Sequence, residues 1–376
     1  MWQDDVPLPT ARAHTILMFV FVVSVALLVF IQWLGIGEKF GVASNRHDLM
    51  YYTGFLVSLP ALLASFGVDR RFQEMLIQVR EDGVVRVSPA WWDKSYKEIR
   101  KSCRRWQIGS SLFVGLAVLF TFDFAVFPGI SGYIYECMIQ SNPCDLGPRY
   151  LSFLWELPWS FGLFVLISIA FGFLVGQRLG TMASTSRAVK ALFVEEAVLK
   201  LQPRHDDQLG GFSRMGSLIA VHGILAAVPL VFLTVWLFLI SLGIEQPLGD
   251  EHMLSFDRYS NWSAGFLAQS IVALLFIFVC FIRPFATVQT AYRIELEKEK
   301  KAAGSVFLEE LSKAQRAQHV STSEAIRGLP SSPVVPSLKF TFTVSNAAPY
   351  FLLAASMLLP EELKLLLEGV LSAVIS

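Results

Sequence analysis

The chain has 376 residues, with 31 basic and 31 acidic side chains, 54% hydrophobic residues and 31 phenylalanines. Its charged fraction of 16% falls well short of the roughly 25% usual in soluble domains, and its mean hydropathy is +0.52. That composition excludes an ordinary soluble domain, and the balanced charge removes any general attraction to nucleic acid.

What remains is an all-α polytopic membrane protein. Residues 1–14 read as a cytoplasmic N-terminus: Asp4, Asp5 and Arg12 precede an apolar run too long for a signal core, so that run is taken as a retained first span. Six apolar segments follow one another at 15–35, 49–68, 108–130, 151–176, 217–244 and 263–285. Each reaches the roughly 20 residues needed to cross a hydrocarbon core of about 30 Å. Basic residues alternate between the connections. Residues 69–107 carry Arg70, Arg71, Arg80, Arg86 and a dense run from Lys94 to Arg105, and residues 177–216 carry Arg178, Arg187, Lys190, Lys200, Arg204 and Arg214. The segments 131–150 and 245–262 offer Arg149 and Arg258 alone. By the positive-inside rule both ends of the chain are cytoplasmic, and Trp33, Trp155, Trp159, Trp236 and Trp262 mark the outer interface.

Ahead of the third span, Ser88-Pro89 is a helix start signal. Trp92, Tyr96, Ile99, Cys103 and Trp106 then recur at spacings of four and three, while Lys94, Lys97, Lys101 and Arg104 line the other side. This pattern predicts a helix lying on the bilayer surface, as an orientation anchor or as a binder of anionic lipid headgroups. In the next outer loop, Cys137 and Cys144 form a candidate disulfide in an oxidising compartment, with pinning of the loop as its role. Cys103 and Cys280 read as packing residues.

Ionisable or polar groups inside the spans are few. Counting helix rise, Asp123, Glu156 and Gln269 each fall about 8 or 9 Å below the outer surface, a shared polar layer able to hold a proton or a cation if the acids come together. The competing reading leaves them hydrated from the outer face. His222, near the inner face, is read as a hydrogen-bonded packing residue. On the fourth span Ser168, Gly172, Gly176 and Gly180 form a ladder of small residues four apart, suited to close approach of a neighbouring span or of the same helix in a second copy.

Past the sixth span, residues 286–320 predict a long cytoplasmic helix weakened at Gly304, and residues 321–340 a flexible Ser/Pro linker. Residues 341–376 predict an amphipathic or re-entrant hairpin, because 347–359 is too short to span and Pro360-Glu361-Glu362 interrupts it. No nucleotide loop, zinc helix or nucleophile turn is present in the sequence, so no enzyme activity, cofactor or metal is expected. The expected function is ion or small-solute permeation in a bacterial cytoplasmic membrane, with the lipid bilayer and a possible second copy as partners. The alternative is a non-conducting scaffold or signalling component that docks a partner through its cytoplasmic helices.

Overall fold

A computed structural model describes residues 49–86, 88–125, 158–194, 198–241, 245–246, 254–255, 260–304 and 312–358, with a few positions between 16 and 26. The described chain is all-α. Its helices are α1 (Leu49–Ser65), α2 (Val68–Glu81), α3 (Pro89–Ala125), α4 (Pro158–Val194), α5 (Ser213–Ser241), α6 (Ser260–Ile277), α7 (Arg283–Gly304), α8 (Lys313–Gly328) and α9 (Pro336–Leu358). Two-residue antiparallel bridges, Val85↔Leu199 with Arg86↔Val198 and Glu245↔Ser255 with Gln246↔Leu254, tie connecting segments together.

Among the described residues two helices are long and apolar enough to cross a membrane: 213–239, which is α5, and 265–304, which runs through α6 and α7. The junction between α6 and α7 is a π-helical turn at Phe278–Ile282. Pro284 lacks an N–H and cannot complete the regular ladder. The widened turn places the Arg283 N–H on the Phe278 carbonyl instead, which keeps the two helices continuous.

Two apolar clusters organise the bundle. In one, α2 supplies Phe72, Leu76 and Val79 against Val189 and Leu192 of α4, Met215 and Ile219 of α5, and Val288 and Tyr292 of α7. In the other, Ala226, Leu230 and Leu237 of α5 meet Phe266, Leu274 and Ile277 of α6 and Leu353 of α9. The loop before α5 is clamped by Asp207. Its carboxylate accepts the N–H groups of Leu209, Gly211 and Ser213 at 2.9, 2.9 and 3.1 Å. Gly210 and Gly211 take φ of 69° and 89°, a conformation that favours glycine.

Two expectations change. The amphipathic segment does begin a helix at Pro89, but its apolar face is covered by protein: Trp92 and Cys103 are buried in the first cluster, with Tyr96 and Ile99 packed against it. On the other side Lys94, Lys97, Lys101 and Arg104 are exposed. A hydrophobic stripe does not say what covers it, and here the protein's own first cluster does. Next, the helix expected over 286–320 is broken, since α8 starts afresh at Lys313 with Ser312 in an extended conformation, while residues 305–311 lie outside the described residues. Ser312 and Gln315 form a capping box there, a strong local start signal. Residues 321–340, expected as a linker, therefore contain the second half of α8 and the start of α9. Residues 336–358, which include the first part of the segment expected as a hairpin, form one uninterrupted helix. Residues 359–376 lie outside the described residues.

Candidate functional site

The α3–α4 pair positions most of the polar groups. Val114–Val118 of α3 crosses Gly172 of α4, where an added methyl would come within 2.9 Å of the Val118 side chain. At Gly176 and Gly180 an added methyl would strike the backbones of Ser110–Ser111 and Trp106–Gln107. The ladder thus brings α4 backbone-close to α3 of the same chain. The Ser168 side chain lies outside the described residues. Arg187, about two turns past Gly180 on α4, sits over the Trp106 ring at 5.1 Å.

On the same half of α4, Arg178 and, past Gly180, Thr181, Ser184, Thr185 and Ser186 are polar and buried. Arg178 is 2% exposed, and its Nη1 donates to Asp69 Oδ2 at 3.2 Å. The guanidinium also lies over the Phe66 ring at 4.7 Å. Its Nε and Nη2 have no hydrogen-bond partner among the described residues. Gln107 of α3 donates to the Thr181 hydroxyl at 3.0 Å, and Thr181, Ser184 and Thr185 donate to carbonyls three or four residues back. His222 of α5 is fully buried, with the Thr185 and Ser186 hydroxyls both 3.2 Å from its Nδ1. A seam of hydroxyl, amide and charged groups therefore runs along α4 from Gln177 to Ser186, bounded by α2, α3 and α5.

Burial of a charge is costly unless it is paired and hydrogen-bonded, and an ion pair with donors left over is only partly compensated. Arg178 is in that condition. The seam can hold a proton or bind an anion through the spare guanidinium donors, and Asp69 competes for the same group. Beside it, burial pushes the Cys103 thiol up to about 11, only partly offset by a hydrogen bond with Ser184, so the thiol stays protonated.

Of the residues anticipated from the sequence, His222 lies in this seam with the hydroxyl partners expected of a packing histidine. Gln269 of α6 is half-buried and donates to the Ala117 carbonyl of α3 at 3.5 Å. Asp123 falls in the last turn of α3, with its side chain outside the described residues, and Glu156, Cys137 and Cys144 lie wholly outside them. Sequence reading missed the Arg178–Asp69 pair because its members stand 109 residues apart. Each looked like an ordinary charge flanking a span. The available signal was the position of Arg178 between Gly176 and Gly180, inside a helix that continues without a break.

Comparison of the chain with protein-family models, with curated proteins and with solved structures finds no match.

Proposed function

We propose that the chain is an integral membrane protein of the bacterial cytoplasmic membrane, a bundle built on the six spans read from the sequence, and that it passes an ion or small solute. The observation that carries the reading is the Arg178–Asp69 pair, buried at the inner end of the fourth span with guanidinium donors to spare. Ionisable groups at such positions face a bundle interior or a water-filled path and mark routes for ions, protons or polar solutes. The hydroxyls of Thr181, Ser184, Thr185 and Ser186 extend that polar lining toward His222. In this reading Asp69 holds Arg178 in a closed arrangement, and a permeating anion or a proton on Asp69 releases it.

The scaffold reading draws on a different observation. Exposed charges crowd the cytoplasmic side of α7, among them Glu297, Lys298, Lys300 and Lys301, a surface a soluble partner could read.

Purified protein in liposomes separates the two. Wild type is compared with Asp69→Asn and with the double variant Asp69→Asn/Arg178→Gln under chloride, potassium and proton gradients. Flux in the wild type that changes rate or selectivity in the variants supports permeation. No flux under any gradient, with folding intact, discards it in favour of the scaffold.

A further inference from the structure

α9 is a helix of 23 residues, hence about 34 Å long at 1.5 Å per residue, enough for a hydrocarbon core of about 30 Å. It lies alongside α5 and runs in the same direction. An added methyl on Gly216 would meet Val334 and Pro333, and one on Gly223 would meet the Phe342 ring. Further along, Leu353 shares a cluster with Leu230 and Leu237 of α5. The register is thus held over the whole length, and α5 is itself one of the two helices apolar enough to cross a membrane. The entry to α9 is fastened beside the start of α5. Tyr292 of α7 donates to the Pro330 carbonyl at 3.0 Å, and Arg293 to that of Ser331 at 3.3 Å. Midway, the Tyr350 hydroxyl donates to the Leu274 carbonyl of α6 at 3.2 Å.

The outer side of α9 is the informative one. Phe342, Asn346, Pro349 and Leu353 are buried, a stripe at helical spacing. On the opposite stripe stand Phe340, Val344, Phe351 and Leu358, exposed at 70%, 48%, 74% and 78%. A water-facing helix carries charges there, as α7 does; α9 has Lys339 at its inner end and no acidic residue. Its hydroxyls also need no water. Thr341, Thr343, Ser345 and Ser356 each donate to a carbonyl three or four residues back, the arrangement a hydroxyl requires in hydrocarbon. Asn346 and Pro349 face the protein, where they lower the hydropathy of the segment without meeting lipid.

We infer that α9 is a further transmembrane crossing, that its Phe340–Val344–Phe351–Leu358 stripe faces the hydrocarbon of the bilayer, and that the segment following it emerges on the membrane face opposite α7 and α8. This rests on the membrane reading above and reverses the expectation that both ends of the chain share the cytoplasm.

The test places one epitope tag after Ser376 and, in a second version of the full chain, within residues 305–311, between α7 and α8. Cells are probed with antibody before and after permeabilisation of the membrane. The expected result is a Ser376 tag reached in intact cells and a 305–311 tag reached only after permeabilisation. Both tags protected until permeabilisation, in protein that sediments with membranes, would overturn the crossing and leave the membrane reading standing. Protein recovered in the soluble fraction would overturn both. Substitutions give an independent check on the occupant. Phe351→Arg is expected to reduce folded, detergent-extracted protein severalfold, whereas Ile294→Arg on α7, at an exposed site of 61%, leaves it unchanged. Equal tolerance of the two, or efficient crosslinking of a Phe351→Cys variant to a second copy, would overturn the lipid-facing assignment.

Discussion

Replacement of Gly176 by alanine tests the packing that aligns the polar seam. The new methyl would lie 2.8 Å from both the Ser110 carbonyl carbon and the Ser111 Cα, and closer still to the Ser110 oxygen. These are backbone atoms in the middle of a helix, so no side-chain rotation relieves the contact; α3 and α4 must separate. Overpacking of this kind costs roughly 1–3 kcal/mol, set against about 1 kcal/mol gained from replacing glycine in a helix interior. Gly109 supplies the control, because a methyl there meets nothing within 4 Å. Thermal unfolding in a mild detergent should therefore show Gly176→Ala destabilised and Gly109→Ala unchanged or stabilised. Gly180→Ala, against the Trp106 backbone, should behave as Gly176→Ala does. A Gly176→Ala protein as stable as the Gly109→Ala protein would refute the close α3–α4 contact and with it the alignment of Gln107 and Thr181.

Removing one member of the buried pair strands the other: Asp69→Asn should destabilise by roughly 3–5 kcal/mol, and adding Arg178→Gln should recover part of that loss; strict additivity in the double-mutant cycle would contradict direct coupling. Burial acts to raise the Asp207 carboxyl, but the N–H groups of Gly211, Leu209 and Ser213 and the nearby His205 outweigh it and hold the group below its ordinary 3.8. A depressed folded value means the stabilisation is present above the unfolded value and is lost as pH falls through the folded one. Asp207→Ala should thus cost about 1–2 kcal/mol near pH 7, and the gap between variant and wild type in unfolding experiments should shrink below about pH 4. A gap independent of pH would count against the carboxylate as the clamp. Cys103, with its thiol up at about 11, should resist maleimide at pH 7.5 in folded protein and react once unfolded; rapid labelling in the folded state would contradict its burial.

The sequence disclosed this fold to the extent that periodicity does. The four-residue spacing of Gly172, Gly176 and Gly180 identified a close-packed helix face, though not which helix it met, since a spacing carries no address. The Trp92–Tyr96–Ile99–Cys103 stripe announced an amphipathic helix, but lipid and protein are equally good covers for such a face, and the first apolar cluster took it. Composition misled at 321–340, where serine and proline suggested a linker while the Ser312–Gln315 capping box, a local hydrogen-bonding device, started a helix. In α9 Asn346 and Pro349 broke the apolar run, and only their placement against α5 explains why the helix tolerates them. The Arg178–Asp69 pair was beyond reach for another reason: a contact across 109 residues is decided by the packing of α2 against α4, which no local pattern encodes.

Cysteine substitution along the seam tests permeation most directly. Thr181→Cys and Ser184→Cys proteins are reconstituted in liposomes, and flux is followed while a charged methanethiosulfonate reagent is applied to the face bearing α7. Ile108→Cys, whose native side chain is exposed on the outside of α3, serves as the comparison. If the seam lines the path, modification at residues 181 and 184 blocks flux in proportion to labelling, and modification at residue 108 leaves it unchanged. Complete labelling of Thr181→Cys and Ser184→Cys with undiminished flux would contradict a path along α4.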